Sequence, residues 1–361
     1  MYTKYSSTYH FSPDRCIAFH IVTFVNYRWG QLAASSVGCD KGEAQIHCLQ
    51  SVSVDRLLKT PITSGPNGAQ AVIDGSYTET PFLPMSPRDI MSSGKYNNNI
   101  SLLLGYNKDE GILHTANAYK DPSLIEKWKS KWNDKFGPST LLGLKDQSIN
   151  KQSKDIVKKI TNHYIGSVND LTSDNLEKMT QVYTDAWFGH PIHEFVSRRV
   201  ENKGKIFYQN STFQYLFTHQ GQFSLSLFLG QGGPYGVAHG DELFYMFSPF
   251  SNQTIPLNEE DQKMSQIILS LWKTFIKTGE PSTDKISWDP ILDSKSRKYL
   301  NLNLNPAMEY STEIKSNMKF WDNIVAGLYR KELKAENDSN RNVLNVTMII
   351  FVTVIQLYFN K

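Results

Sequence analysis

An α/β fold built on a mainly parallel sheet is what this sequence of 361 residues predicts, from two patterns along the chain. Residues Ile100 to Tyr106 form a short, continuously apolar run, and long stretches of helical periodicity separate it from later strand-like segments. A strand that is apolar on both sides of its pleat belongs between two helical layers, and strands joined through long helices are parallel.

The elements follow in order. The chain up to Thr60 reads mostly as helix, and residues Thr60 to Gly68, rich in Pro and Gly, read as a linker. After the strand at Ile100–Tyr106, helices are expected over Pro122–Lys135, Ser153–Ile165 and Asn175–Asn202, and a second strand over Lys205–Gln209. From Asn258 onward, Met264, Ile267, Ile268, Leu271 and Phe275 recur at helical spacing. Asn258 suits the cap of that helix, Glu259, Glu260 and Asp261 suit its positive end, and Gly279 with Pro281 suits its stop. A third strand is expected over Lys298–Leu304 and a last helix over Met308–Tyr329.

Composition narrows the function. The 38 basic residues barely outnumber the 35 acidic ones, and they are spread along the chain without the basic stripe that nucleic acid requires. Three cysteines exclude a disulfide-dense scaffold and offer no paired spacing for structural zinc; neither cofactor nor metal is expected. Cys39 and Cys48 frame a short polar segment, which is compatible with a small disulfide loop or with two free thiols. The amino-terminal residues lack the pattern of a signal peptide. Val343 to Phe359 is apolar but interrupted by Asn345, Thr347, Thr353 and Gln356. Behind the polar run Glu336–Asn342, this tail fits the signal for a glycolipid anchor, a short membrane tail or a packed strand.

Two residues stand out chemically. The first strand runs into Asn107, Lys108, Asp109, Glu110 and Gly111, so acids lie just past its carboxyl end, where α/β folds place their sites. Glu110 is a candidate for orienting a histidine, set against the plainer reading of a solvated turn. Gly232 to Glu242 is a glycine-rich loop carrying His239 before Gly240, with a helix expected from Glu242 to Phe247. His239 there is placed to exchange a proton through one ring nitrogen while a carboxylate holds the other; the plainer reading is a surface histidine.

Further segments match a known pattern in the same order. Leu32–Cys39 with Cys48 and Leu49, Ile73–Gly75 with Pro81–Pro84, Gly105–Gly111, and His239–Leu243 are among them. Trp272–Phe275 with Lys277–Pro281, Ser287–Pro290, Tyr299–Leu300 and Phe320–Trp321 complete the set. In these residues the chain resembles the type-B carboxylesterase and cholinesterase family, over about residues 29–330. The resemblance implies the carboxyl-terminal part of an α/β-hydrolase fold, Glu110 as the acid and His239 as the base of a Ser-His-Glu triad, and a Cys39–Cys48 disulfide with an oxidising, secretory setting. It implies a small carboxylic ester as substrate, and Gly240–Leu243 is closer to general carboxylesterases than to acetylcholinesterases. Asp241 is expected to be structural. Sequons at Asn99, Asn210, Asn252 and Asn337 agree weakly with a glycoprotein.

The sequence holds no Gly-x-Ser-x-Gly and no glycine run ahead of Glu110 that would supply an oxyanion hole. The expectation is therefore a fragment of an ester hydrolase, inactive alone, with residues 1–28 as an atypical start and 331–361 as a polar stalk and tail. The alternative is a non-catalytic, adhesion-type relative of the cholinesterases.

Overall fold

The computed structural model describes residues 31–39, 44–60, 73, 79–97, 100–142, 144, 149–201, 211–247, 257–294 and 297–338. The atypical start, most of the linker, the strand expected at Lys205–Gln209 and the apolar tail lie outside them, as do three of the sequons, at Asn99, Asn210 and Asn252. Two compact units are present, the first drawn from Met1–Asp89, Pro138–Ile149 and Tyr329–Ile349, the second from Ile90–Gly137, Asn150–Leu328 and Ile350–Lys361.

In the first unit, helices α1 (Gln45–Ser51) and α2 (Val54–Leu58) follow a turn that carries Cys39. Ala34, Val37 and Cys39 form a small buried cluster on which Cys48, Leu49, Val52 and Leu57 pack. Cys39 and Cys48 are joined as a disulfide, with their Cα atoms 5.6 Å apart. So few apolar side chains bury little surface, which leaves the crosslink a large share of the local order. Replacing both cysteines by alanine should cost this unit about 2–3 kcal/mol through the restored freedom of the unfolded loop. Urea melts of the variant and the parent would show this as a lower midpoint; unchanged midpoints would contradict it.

The second unit is built on a four-stranded sheet in the order β1 (Leu102–Asn107), β2 (Thr212–Phe217), β3 (Tyr299–Leu302), β4 (Ala307–Glu309). The first two pairings are parallel, with Leu102 opposite Thr212 and Tyr215 opposite Leu300, and β3–β4 is antiparallel. All six residues of β2 are buried, as a central strand covered on both faces must be. This strand was not expected at Thr212–Phe217, although the aromatic and β-branched run there is a strand signal. The last helix begins at Thr312 rather than Met308, because Ala307–Glu309 pairs with β3 and the Ser311 hydroxyl then accepts the Ile314 amide at 3.1 Å.

Between β1 and β2 run α3 (Ile112–Lys120), α4 (Ser123–Lys131), α5 (Lys151–Tyr164), α6 (Leu176–Thr184) and α7 (His190–Glu201). Then α8 (Glu259–Thr278) precedes β3, and α9 (Thr312–Asp338) follows β4. The helix expected at Pro122–Lys135 gives way to a π turn at Trp132–Phe136. A second π turn, Asp185–Gly189, splits the helix expected over Asn175–Asn202. Pro191 is a local cause of that split. It has no amide proton to give the Trp187 carbonyl and its ring would press on that group, so the helix widens just ahead of it and the His190 amide bonds to Asp185 O.

Helix α8 is capped as its sequence predicts: Asn258 Oδ1 accepts the Asp261 amide at 2.8 Å, and Gly279 closes the end at φ 78°. Its Met264, Ile268 and Leu271 enter the main core with Phe213, Phe217, Trp288, Leu300 and Leu302, while Ile267 and Phe275 pack at its margin.

Candidate active site

At the carboxyl end of β1 the backbone turns back on itself. The Asn107 amide donates to Glu110 Oε1 at 2.8 Å, which folds the Glu110 side chain against the strand end, where it is buried. Gly111 then opens α3, and its amide donates to the Thr184 hydroxyl at 2.9 Å.

The histidine loop is hooked onto this corner by side chains from the corner itself. Asp109 pairs with Val237 twice, the Asp109 amide giving to Val237 O at 3.0 Å and the Val237 amide giving to Asp109 Oδ2 at 3.0 Å. Asn107 Nδ2 donates to Ala238 O at 2.7 Å and to Glu242 Oε2 at 2.5 Å. A Cβ on Gly236 would stand 2.5 Å from Asp109 Oδ2, and this residue has φ +150°, so glycine alone permits the approach. After His239, Gly240 turns at φ +78° into a short 3₁₀ segment, Asp241–Tyr245, where a helix was expected from Glu242 to Phe247.

Glu110 and His239, 129 residues apart in sequence, meet through a bond of 2.7 Å between His239 Nδ1 and Glu110 Oε2. The imidazole is 25% exposed against 5% for the carboxylate side chain, so the acid is walled in while the ring keeps a solvent-facing side. Phe188 lies beside it, with ring centroids 5.1 Å apart. Burial disfavours the charged imidazolium, but the charge and hydrogen bond of Glu110 outweigh it, helped by Glu242 and Asp241, and the His239 pKa is raised. With Nδ1 held on the carboxylate, Nε2 is the ring nitrogen not engaged by Glu110.

Asp241 acts on the backbone of the loop. Its carboxylate accepts the Leu225 amide and the Ala238 amide, each at 2.8 Å, and so shapes the loop on both sides of His239. Burial pushes its pKa up from 3.8 to about 7 despite those bonds, and burial likewise raises Asp185 to about 6. As pH climbs from about 4 to about 7, the unfolded chain releases these protons before the folded chain does, so both groups make stability fall over that window. Asp241→Asn removes one of them. Its denaturation midpoint should decline less steeply with pH than the parent's, and parallel declines would contradict the assignment.

Sequence alone points to Glu110 and His239 but not to Asn107, Asp109 or Glu242 as their scaffold, although all three lie in the same two motifs. Phe188 and Thr184 had no local signal, since only the fold brings them near. Among the described residues, no cluster of His, Cys, Asp or Glu has a metal-binding arrangement, and no helix is long and apolar enough to cross a membrane.

The model of the carboxylesterase family matches residues 16–321, most of the chain. The chain belongs to the carboxylesterase family. Similar family members include a carboxylic ester hydrolase from Bombus ignitus, 26% identical over 306 residues, which cover 81% of this chain and 52% of that protein. Carboxylesterase 1C from Rattus norvegicus is 23% identical, covering 82% of this chain and 50% of its own length. Neuroligin-2 from Rattus norvegicus is also 23% identical, covering 84% of this chain and 37% of its own. Among solved structures, juvenile hormone esterase from Manduca sexta, with OTFP covalently attached, matches with a TM-score of 0.60 at 17% identity, over 82% of this chain and 56% of that one. That likeness is one of fold, a mixed sheet flanked by helices as in α/β-hydrolases. This carboxylesterase-family chain spans about half the length of the curated relatives it matches.

Proposed function

We propose that this chain carries the acid and the base of a carboxylic ester hydrolase, with Glu110 orienting His239 and His239 as general base. The observation that carries the reading is the 2.7 Å bond between the two, with the ring partly open to solvent and the acid buried. In the corresponding reaction a serine hydroxyl gives its proton to His239 Nε2 and attacks the ester carbonyl, and the imidazolium, steadied by Glu110, returns the proton to the leaving alcohol. Water then repeats the sequence on the acyl-enzyme.

Because this sequence holds no Gly-x-Ser-x-Gly and no glycine run ahead of Glu110 of the kind that supplies an oxyanion hole, the reading extends to a polypeptide that is inactive by itself. The substrate class is a small carboxylic ester, and the Cys39–Cys48 disulfide suits an oxidising, secretory setting. The similarity to neuroligin-2 supports a second reading, a non-catalytic protein that binds partners through its surface. Retention of a bonded Glu110–His239 pair favours the hydrolase.

Assays with p-nitrophenyl acetate test this. The chain alone should show no turnover above its His239→Ala variant, whereas a chimaera joined to the part of the Bombus ignitus carboxylic ester hydrolase that this chain does not match should hydrolyse the ester in a His239-dependent way. Turnover by the chain alone that vanishes with His239→Ala overturns the inactivity. A folded chimaera without activity leaves the binding reading.

A further inference from the structure

The helix that backs the Glu110–His239 pair changes its pitch where it passes them. α6 ends at Thr184, the π turn Asp185–Gly189 follows, and α7 continues from His190. One inserted residue rotates everything downstream by about 100°, so the π turn decides which side chains of this segment face the pair. Two contacts depend on it. Thr184, just before the turn, receives the Gly111 amide next to Glu110, and Phe188, within it, lies against the His239 ring.

Asp185 holds the turn together. It is 1% exposed, and its carboxylate accepts from the Tyr164 hydroxyl at 2.7 Å, Gln181 Nε2 at 2.8 Å and Asn317 Nδ2 at 2.9 Å. Trp321 Nε1 donates to the same tyrosine oxygen at 2.7 Å. Across the turn, a Cβ on Gly189 would stand only 3.1 Å from Asp185 Oδ1, so the carboxylate is tucked into the widened loop of helix. Its three donors come from α5, α6 and α9, and all are neutral. A carboxylate buried among neutral donors is a poor way to gain stability compared with an uncharged side chain of similar size.

We propose that Asp185 is a positioning residue for the pair: by gathering donors from three helices onto the π turn, it sets the pitch that keeps Thr184 under Gly111 and Phe188 against His239. The proposal rests on reading the pair as acid and base. It concerns their hydrogen bond, however, and is read without ester turnover, so the two ideas fail separately.

The experiment is proton NMR of the full chain. The His239 Nδ1–H proton bonded to Glu110 gives a strongly downfield signal, assigned by its loss in His239→Gln. Asp185→Asn should keep the far-ultraviolet circular dichroism and a cooperative melt yet lose that signal, and Phe188→Leu should retain it where Phe188→Ala does not. Val157→Ala, a buried substitution on α5 away from the pair, is the control for general destabilisation and should keep the signal. If Asp185→Asn does not fold, Asn317→Ala removes a single donor and should weaken or shift the signal in the same direction. An unchanged signal in folded Asp185→Asn, or its equal loss in Val157→Ala, overturns the proposal.

Discussion

Glu110→Gln, placed in a chimaera that supplies the family's nucleophile, is expected to lower kcat by about 10⁴-fold, as loss of the acid does in a serine triad. The reason is the way Glu110 divides its oxygens. Oε1 takes the Asn107 amide at 2.8 Å, and Oε2 faces His239 Nδ1 at 2.7 Å. Glutamine would keep its carbonyl on the Asn107 amide, which leaves its NH₂ pointing at Nδ1. That nitrogen must then accept, the ring proton moves to Nε2, and the nitrogen that should take a serine proton already carries one. The same change removes the charge that raises the His239 pKa, so an NMR titration of His239 should show a lower value in the variant. A chimaera that keeps most of its kcat after Glu110→Gln would mean that Glu110 is not the acid.

Gly111→Ala should destabilise the second unit by about 3 kcal/mol and dislodge Glu110 with it. The Gly111 backbone, at φ −64°, is one that alanine adopts freely, so the effect comes from crowding alone. A Cβ there would stand 2.0 Å from the Thr180 carbonyl oxygen and 2.9 Å from Tyr183 Cβ. Carbon and oxygen rest at about 3.3 Å or more, and the obstacle is helix backbone rather than a side chain that can swing away. Either α6 retreats or the corner after β1 lifts, and both break the bond from the Gly111 amide to Thr184. Denaturation should show a lower midpoint for Gly111→Ala, together with loss of the downfield His239 proton. An alanine variant as stable as the parent would show that the corner is looser than its geometry.

Much of this was legible beforehand. Helix α8 carries its own start, face and stop in Asn258, Met264–Leu271 and Gly279, because capping and amphipathic spacing are local properties. Strand β1 was legible within two residues, since a run that is apolar on both faces has few other uses. Elements that answer to distant partners were not. Ala307–Glu309 is a strand because β3 lies beside it, and the π turn at Asp185–Gly189 joins a local cause, Pro191, to a tertiary one, the donors reaching Asp185 from α5 and α9.

The pair itself divides in the same way. Sequence alone placed Glu110 past the end of a strand and His239 in a glycine-rich loop, and its ordered motifs pointed to the carboxylesterase family. The tertiary structure decided that the two side chains meet, since parallel pairing of β1 with β2 and the hooks from Asn107 and Asp109 onto Val237 and Ala238 bring together residues 129 positions apart. It also chose Phe188 and Thr184 as their neighbours. Residue types and short spacings suffice for chemistry and local conformation, whereas distance across a fold is set by packing that many separate segments share.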